Sequence, residues 1–312
     1  MRSPKDTFGS SVPPFALMVP VSSSSGISNG SADESTGLEA FVDTQLPPVP
    51  TLTSWSEYTY IGEISSGPTG EPMEFEKTAF TVVDKDTGAM YHGSLPKRQD
   101  DISLEEATAC LERVPSSWTY PFLPSGFTVA TAADVGDEDV YVKTPKLSSY
   151  ASIGPGDHIA KMVLQEAQNL EHVRRFPHRN VVEFLGCVVK GHRIHGFAMK
   201  RYPMTLFDCC DVESKHPANV EDFDKEECIR DIAAGVHHLH NLGLAHNDIN
   251  PRNIAVDDEG RCVVIDLGGC RRFGECLDEC GTEGFNEGFG DTSSVKNDEV
   301  GLSKVREWLK QQ

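Results

Sequence analysis

Residues 244–268 read Leu-Ala-His-Asn-Asp-Ile-Asn-Pro-Arg-Asn-Ile-Ala-Val-Asp-Asp-Glu-Gly-Arg-Cys-Val-Val-Ile-Asp-Leu-Gly. The stretch carries an acid at Asp248, a carboxamide at Asn253 and a second acid at Asp266, followed by Leu267 and Gly268. Two strand-like runs, Ile254–Val256 and Cys262–Ile265, flank an Asp-Asp-Glu-Gly turn. That turn has hairpin chemistry, and a hairpin brings its ends together. Asn253, just before the first strand, therefore comes near Asp266, just after the second. The oxygen-bearing side chains of Asp248, Asn253 and Asp266 converge on one spot, as a hard cation such as Mg²⁺ requires.

The pattern His-x-Asp-x-x-x-x-Asn from His246 to Asn253, followed by Asp266-Leu-Gly, resembles the catalytic core of the protein kinases. The resemblance implies an α+β, two-lobed kinase-like fold, with a β-rich N-lobe and a mainly helical, shortened C-lobe. It implies Asp248 as catalytic base, and Asn253 and Asp266 as the residues that hold Mg²⁺ against the phosphates of ATP. His246 then braces the loop rather than shuttling protons. Polar residues capping a solvated hairpin are the plainer reading, but three matches at the right spacing outweigh it.

Upstream, Val140-Tyr-Val-Lys143 alternates like a strand and ends on the lysine that, by the resemblance, contacts the nucleotide phosphates. Ile159–Phe176 is an amphipathic helix, with Ile159, Val163, Ala167, Leu170 and Val173 on one face. Glu166 on that helix is the expected ion-pair partner of Lys143, ahead of Glu171. Pro177–Val182 resembles the turn into the next strand, and Val181–Val189 with Arg193–Lys200 forms a hairpin around Lys190-Gly-His192. Arg201, Tyr202 and Met204 lie where the linker between lobes would hold adenine, with Met199 or Lys200 as gatekeeper. Met204–Cys210 and Val220–Leu242 read as helices, and Gly243 as the stop of the second. His237, His238 and His240 on that helix read as structural, because no acid or Cys completes a metal site.

Downstream, Gly269–Phe289 resembles a short activation segment, and Gly281-Thr-Glu-Gly-Phe285 the step that leads to substrate. Phe289 stands where the family's Ala-Pro-Glu motif has its acid. Asn297–Leu309 is a last helix, whose Asp298 and Gly301 match the start of the large lobe's central helix. By the resemblance, Asp298 anchors the backbone of the catalytic loop. Three further helices of a standard large lobe have no residues left to build them. Residues 140–312 are most similar to a small kinase-like family common in fungi.

Residues 1–50 are rich in Ser, Pro and Gly without periodicity, and read as a disordered tail. Residues 51–125 form a β-rich extension: strands at Tyr58–Ile64, Glu74–Val83 and Ala89–Gly93, a helix over Ser103–Arg113 with a Ser103/Glu106 capping box, and an extended Trp118–Pro124. Residues 126–202 and 203–312 are then the two lobes.

Three departures bear on activity. No Gly-x-Gly-x-x-Gly loop precedes Lys143, and Ser65–Gly70 reads as a turn rather than a lid over phosphates. Asn247 replaces the arginine that pairs with a phosphorylated activation loop, so activation by that route is not expected. Asn250 replaces a lysine beside the transferred group; Arg252 or Arg271 is the candidate to compensate.

The formal net charge of −20 argues against a nucleic-acid surface and against a polybasic membrane anchor. No apolar run approaches the length of a membrane span, and Met1–Pro20 lacks the core of a secretory signal. Nine irregularly spaced cysteines read as reduced thiols of an intracellular protein, cytoplasmic or nuclear. Cys270, Cys276 and Cys280 cluster without a Cys-x-x-Cys pair or a companion His nearby, so reduced structural thiols are a better reading than zinc. Three functions stand: an ATP- and Mg²⁺-dependent phosphotransferase acting on protein Ser/Thr, a pseudokinase that binds nucleotide or scaffolds an unknown partner, and a small-molecule kinase.

Overall fold

The computed structural model describes residues 49–67, 73–210, 224–277, 281–286 and 290–312. The tail over residues 1–48, Pro68–Gly70, the start of the helix expected from Val220, Cys280 and Phe289 lie outside them. Two compact units result: the described residues up to Pro115 with Ser148–Gly154, and Ser116–Leu147 with Pro155–Gln312.

The first unit is an antiparallel sheet in the order β1 (Tyr60–Ser66), β2 (Glu74–Val83), β3 (Met90–Leu95), β4 (Glu112–Arg113). The turn between β2 and β3 is set by Asp84, whose Oδ1 accepts from Thr87 N and Oγ1 at 2.7 and 2.6 Å. The core gathers Tyr58, Phe80, Val82, Tyr91, Ala107 and Leu111. Ser103 and Glu106 form the expected capping box on α1 (Leu104–Ala109). That helix ends short of Arg113. Leu111 and Val114 are buried, and Glu112–Arg113 pairs with β3 instead. Completing the sheet edge outweighs another helical turn.

The second unit carries the two lobes of a kinase-like α+β fold. It opens with α2 (Ser116–Thr119), where an extended run was expected; Tyr120 N donates to Ser116 O at 2.8 Å before Pro121 stops the turn. Next comes α3 (Ala132–Gly136), capped by Thr131 and Asp134. The small-lobe sheet has the order β5 (Val140–Lys143), β7 (Arg193–Lys200), β6 (Phe184–Lys190). Gly191 and His192, both with positive φ, make the two-residue turn of the β6–β7 hairpin. Between β5 and this hairpin the chain forms α4 (Tyr150–Ile153), part of the first unit, and then α5 (His158–Arg174). The apolar face expected on α5 is buried and packs on β6 and β7.

The linker leads into β8 (Met204–Thr205), then α6 (Leu206–Cys210). Met204 and Thr205 are thus extended, not helical, because they pair with β10 (Ile254–Val256). The helix α7 (Lys225–Asn241) is capped by Asp224, whose Oδ1 accepts from Glu227 N at 2.8 Å. Gly243 (φ 78°) follows its end. The chain continues through β9 (Leu244–Ala245), β10, β11 (Cys262–Val264), β12 (Arg271–Arg272) and α8 (Val295–Leu309). Pairing of β10 with β11, and of β9 with β12, frames the loop over residues 246–253. Among the described residues no helix is long and apolar enough to cross a membrane.

Candidate active site

The hairpin does what its sequence predicts. Ile265 N donates to Asn253 O at 3.0 Å, so the residues before β10 and after β11 meet. Pro251–Asn253 is a 3-10 turn, opened by Asn250, whose side-chain oxygen accepts from Arg252 N at 2.9 Å. This turn aims Asn253 at Asp248: Nδ2 reaches Asp248 O at 2.9 Å and Oδ2 at 2.8 Å. Asn253 spends its amide hydrogens on Asp248, which leaves its side-chain oxygen as an acceptor.

The other carboxylate oxygen of Asp248 accepts from three neutral donors. Thr282 N lies at 2.8 Å, Thr282 Oγ1 at 2.7 Å and Asn250 Nδ2 at 3.1 Å. Asn250 Nδ2 also reaches Thr282 Oγ1 at 3.1 Å. The position the resemblance gives to a lysine is therefore filled by a carboxamide that bonds both the acid and the threonine. Neither Arg252 nor Arg271 takes the lysine's place. Arg252 stacks on the ring of Phe207 at 3.6 Å, and Arg271 Nη1 donates to the carbonyls of Gly268 and Cys270.

Across the site Lys143 Nζ bridges two acids, Glu166 Oε1 at 2.5 Å and Asp266 Oδ1 at 2.8 Å. Burial by itself disfavours the ammonium, yet the two carboxylates hold its pKa above the ordinary value. Burial pushes the Glu166 carboxyl up against the pull of Lys143. Burial would also raise Asp266, but Lys143 and the amide of Gly268 bring it below the ordinary carboxylate value. Asp266 has a left-handed backbone (φ 62°), a conformation Asp tolerates better than most residues. Glu171, the alternative partner, is elsewhere: its carboxylate accepts from Thr128 N and Oγ1.

The loop is held from behind by Asp298, which is fully buried. Its Oδ2 accepts from His246 N at 2.8 Å and from His240 Nε2 at 2.8 Å, and its Oδ1 from Asn247 N at 2.7 Å. His246 Nε2 donates to Ile265 O at 3.0 Å, tying the loop to β11's end. A Cβ at Gly301 would lie 2.8 Å from Ile249 O, so α8 approaches the loop backbone more closely than another residue allows. His238 donates to Phe176 O and stacks on His178.

The linker residues face other groups. Arg201 N donates to Asp139 O at 2.7 Å, and its guanidinium to Glu138 O and Val140 O. Tyr202 is half-buried, which raises its hydroxyl pKa. Tyr202 and Lys200 line a cavity of about 590 Å³ that contains none of Lys143, Asp248, Asn253 or Asp266. Side-chain geometry, not cavity size, locates the site.

Sequence reasoning missed Asn169. From α5 its Nδ2 reaches Leu267 O and Cys270 O, both at 3.0 Å, fixing the turn after Asp266. The signal was a polar residue three positions beyond Glu166, on the same side of the helix.

A protein kinase domain model matches residues 128–287. The chain belongs to the protein kinase family. The chain is 31% identical over 96 residues to a dual serine/threonine and tyrosine protein kinase of Strongylocentrotus purpuratus, covering 30% of this chain and 10% of that protein. It is 27% identical over 109 residues to a serine/threonine-protein kinase of Saccharomyces cerevisiae, covering 33% and 8%. It is 25% identical over 131 residues to a mitogen-activated protein kinase kinase kinase of Pyricularia oryzae, covering 42% and 8%. The chain thus spans a tenth or less of the length of these relatives.

Proposed function

We propose that the protein is an ATP- and Mg²⁺-dependent phosphotransferase acting on serine or threonine hydroxyls of a protein substrate. The observation that carries this reading is Lys143, held 2.5 Å from Glu166 and 2.8 Å from Asp266. A half-buried lysine fixed between two acids is poised to meet nucleotide phosphates while keeping its charge. Asn253 and Asp266 would hold Mg²⁺, which when bound neutralises phosphate charge. The donor set fits: a carboxamide oxygen and a carboxylate held at the two ends of one hairpin. Asp248 receives the proton of the attacking hydroxyl. The hydroxyl oxygen forms its bond to the γ-phosphorus as the bond to the bridging oxygen breaks, and that electron pair leaves with ADP. Thr282 Oγ1, 2.7 Å from Asp248, already presents a hydroxyl of the substrate's own kind to the acid.

The test is transfer of labelled phosphate from Mg-ATP, with wild type compared with Asp248→Asn. Equal transfer by both would sink the reading. Nucleotide binding with and without Mg²⁺, compared with Asp266→Ala, tests the metal site separately.

A second reading, a pseudokinase, is favoured by the lack of a Gly-x-Gly-x-x-Gly loop before Lys143, and by Asn250 in the lysine's place. It predicts melting raised by Mg-ATP without turnover on peptide arrays. A small-molecule kinase differs from both by ADP release that depends on Asp248 and on a metabolite.

A further inference from the structure

Asn247 lies immediately before Asp248 and has no role in the reaction proposed above. It is 3% exposed and left-handed, with φ 62°. Its Nδ2 is within hydrogen-bonding distance of Ala245 O at 2.9 Å, Ser293 Oγ at 3.1 Å and Gly269 O at 3.2 Å. Its Oδ1 accepts from Asn297 Nδ2 at 3.1 Å. Its backbone N–H is held by Asp298. Ser293 extends the web: its Oγ donates to Arg271 O at 3.0 Å, and its N–H to Glu275 O at 2.8 Å. One neutral side chain thus joins the catalytic loop, both ends of the segment that follows Asp266, and the head of α8.

The residue type suits this place. Asn tolerates the left-handed backbone and offers a donor and an acceptor on one short side chain. Asp would set a charge against carbonyl oxygens with no hydrogens to give them. The web also lies beside the reacting acid: a Cβ added at Gly269 would come within ordinary contact, 3.7 Å, of Asp248 Cβ.

We propose that Asn247 is a positioning residue, whose carboxamide holds Asp248 and residues 269–277 in their working arrangement through neutral hydrogen bonds, without any phosphate on the segment. The kinetic part of this proposal rests on the phosphotransferase reading; the anchoring does not.

The experiment uses the full chain, treated with phosphatase and verified free of phosphate by mass spectrometry. Amide hydrogen exchange is compared for wild type, Asn247→Gly and Ser293→Ala. Glycine keeps the left-handed backbone and removes only the side-chain bonds. Wild type should protect residues 269–272 and 293, and Asn247→Gly should exchange there at least roughly tenfold faster, with α7 unchanged. Ser293→Ala should fall between them. In turnover, Asn247→Gly should lower kcat about tenfold while KM for ATP stays put, which a merely structural defect would not do. Equal protection in wild type and Asn247→Gly overturns the proposal, as does a phosphate-free wild type that leaves the segment unprotected. A wild type without turnover sinks the phosphotransferase reading instead. Exchange then still decides Asn247: faster exchange in the variant supports it, equal exchange overturns it.

Discussion

The two halves of the candidate site are built from opposite materials. On one side Lys143, Glu166 and Asp266 form a chain of charges, joined across 23 and 123 residues of sequence. On the other, Asp248 is surrounded by neutral donors: Asn250, Asn253 and Thr282. Charge gathers where phosphates would lie, and neutral groups gather where a hydroxyl would arrive. The first half depends on distant segments assembling around a part-buried pair of ion pairs. The second is mostly local, since Asn250 and Asn253 stand two and five residues from Asp248, and only Thr282 comes from afar.

This contrast can be broken. Asp248→Asn should lower kcat by roughly 10²–10⁴-fold, as loss of a general base does, and leave nucleotide affinity intact. Nucleotide affinity falling in step with kcat would mean that the two halves are not separable. Lys143→Met should cost the fold roughly 3–5 kcal/mol in chemical denaturation, because it leaves Glu166 buried without its partner. Asp266 lies partly in water, which places the loss at the lower end of that range. A variant as stable as wild type would show that the charged half adds nothing to folding.

Asn250→Ala should remove the side-chain bonds to Asp248 O, Asp248 Oδ1, Thr282 Oγ1 and Arg252 N, and lower kcat about tenfold with KM for ATP unchanged, a loss of about 1.4 kcal/mol. No change would assign Asn250 to loop shape alone. The smallest effect is in pH. The folded-state pKa of Lys143 lies above the ordinary 10.5, so the folded protein keeps a proton that the unfolded chain releases. Its contribution is whole below 10.5 and fades as pH rises through the folded value. Melting temperature should therefore fall more steeply above pH 10.5 in wild type than in Lys143→Met. Parallel curves would refute that assignment.

Much of the site was legible because its spacing is short and chemically narrow. His246, Asp248 and Asn253 sit within eight residues, and the hairpin linking Asn253 to Asp266 follows from turn chemistry. Lys143 and Glu166 were legible from strand and helix periodicity combined with the family resemblance. Local reasoning failed where a distant partner decided the outcome. Glu112–Arg113 left a helix for the edge of β3, and Met204–Thr205 left one for β10. Arg252 and Arg271 looked free to replace a missing charge, yet one stacks on Phe207 and the other bonds carbonyls.

By itself the sequence determined the family of folds, the hairpin, and the identity of the acids, amides and lysine. The hairpin follows from turn chemistry, which acts along the chain, and the fold and the site residues from the resemblance that the motif spacing carries. The tertiary structure alone decided what each group faces: Thr282 on Asp248, Asn169 on the turn after Asp266, Asp298 beneath the loop, and Asn247 between four segments. Hydrogen bonds act over about 3 Å. Residues far apart in the chain are brought within that range only when the core has packed.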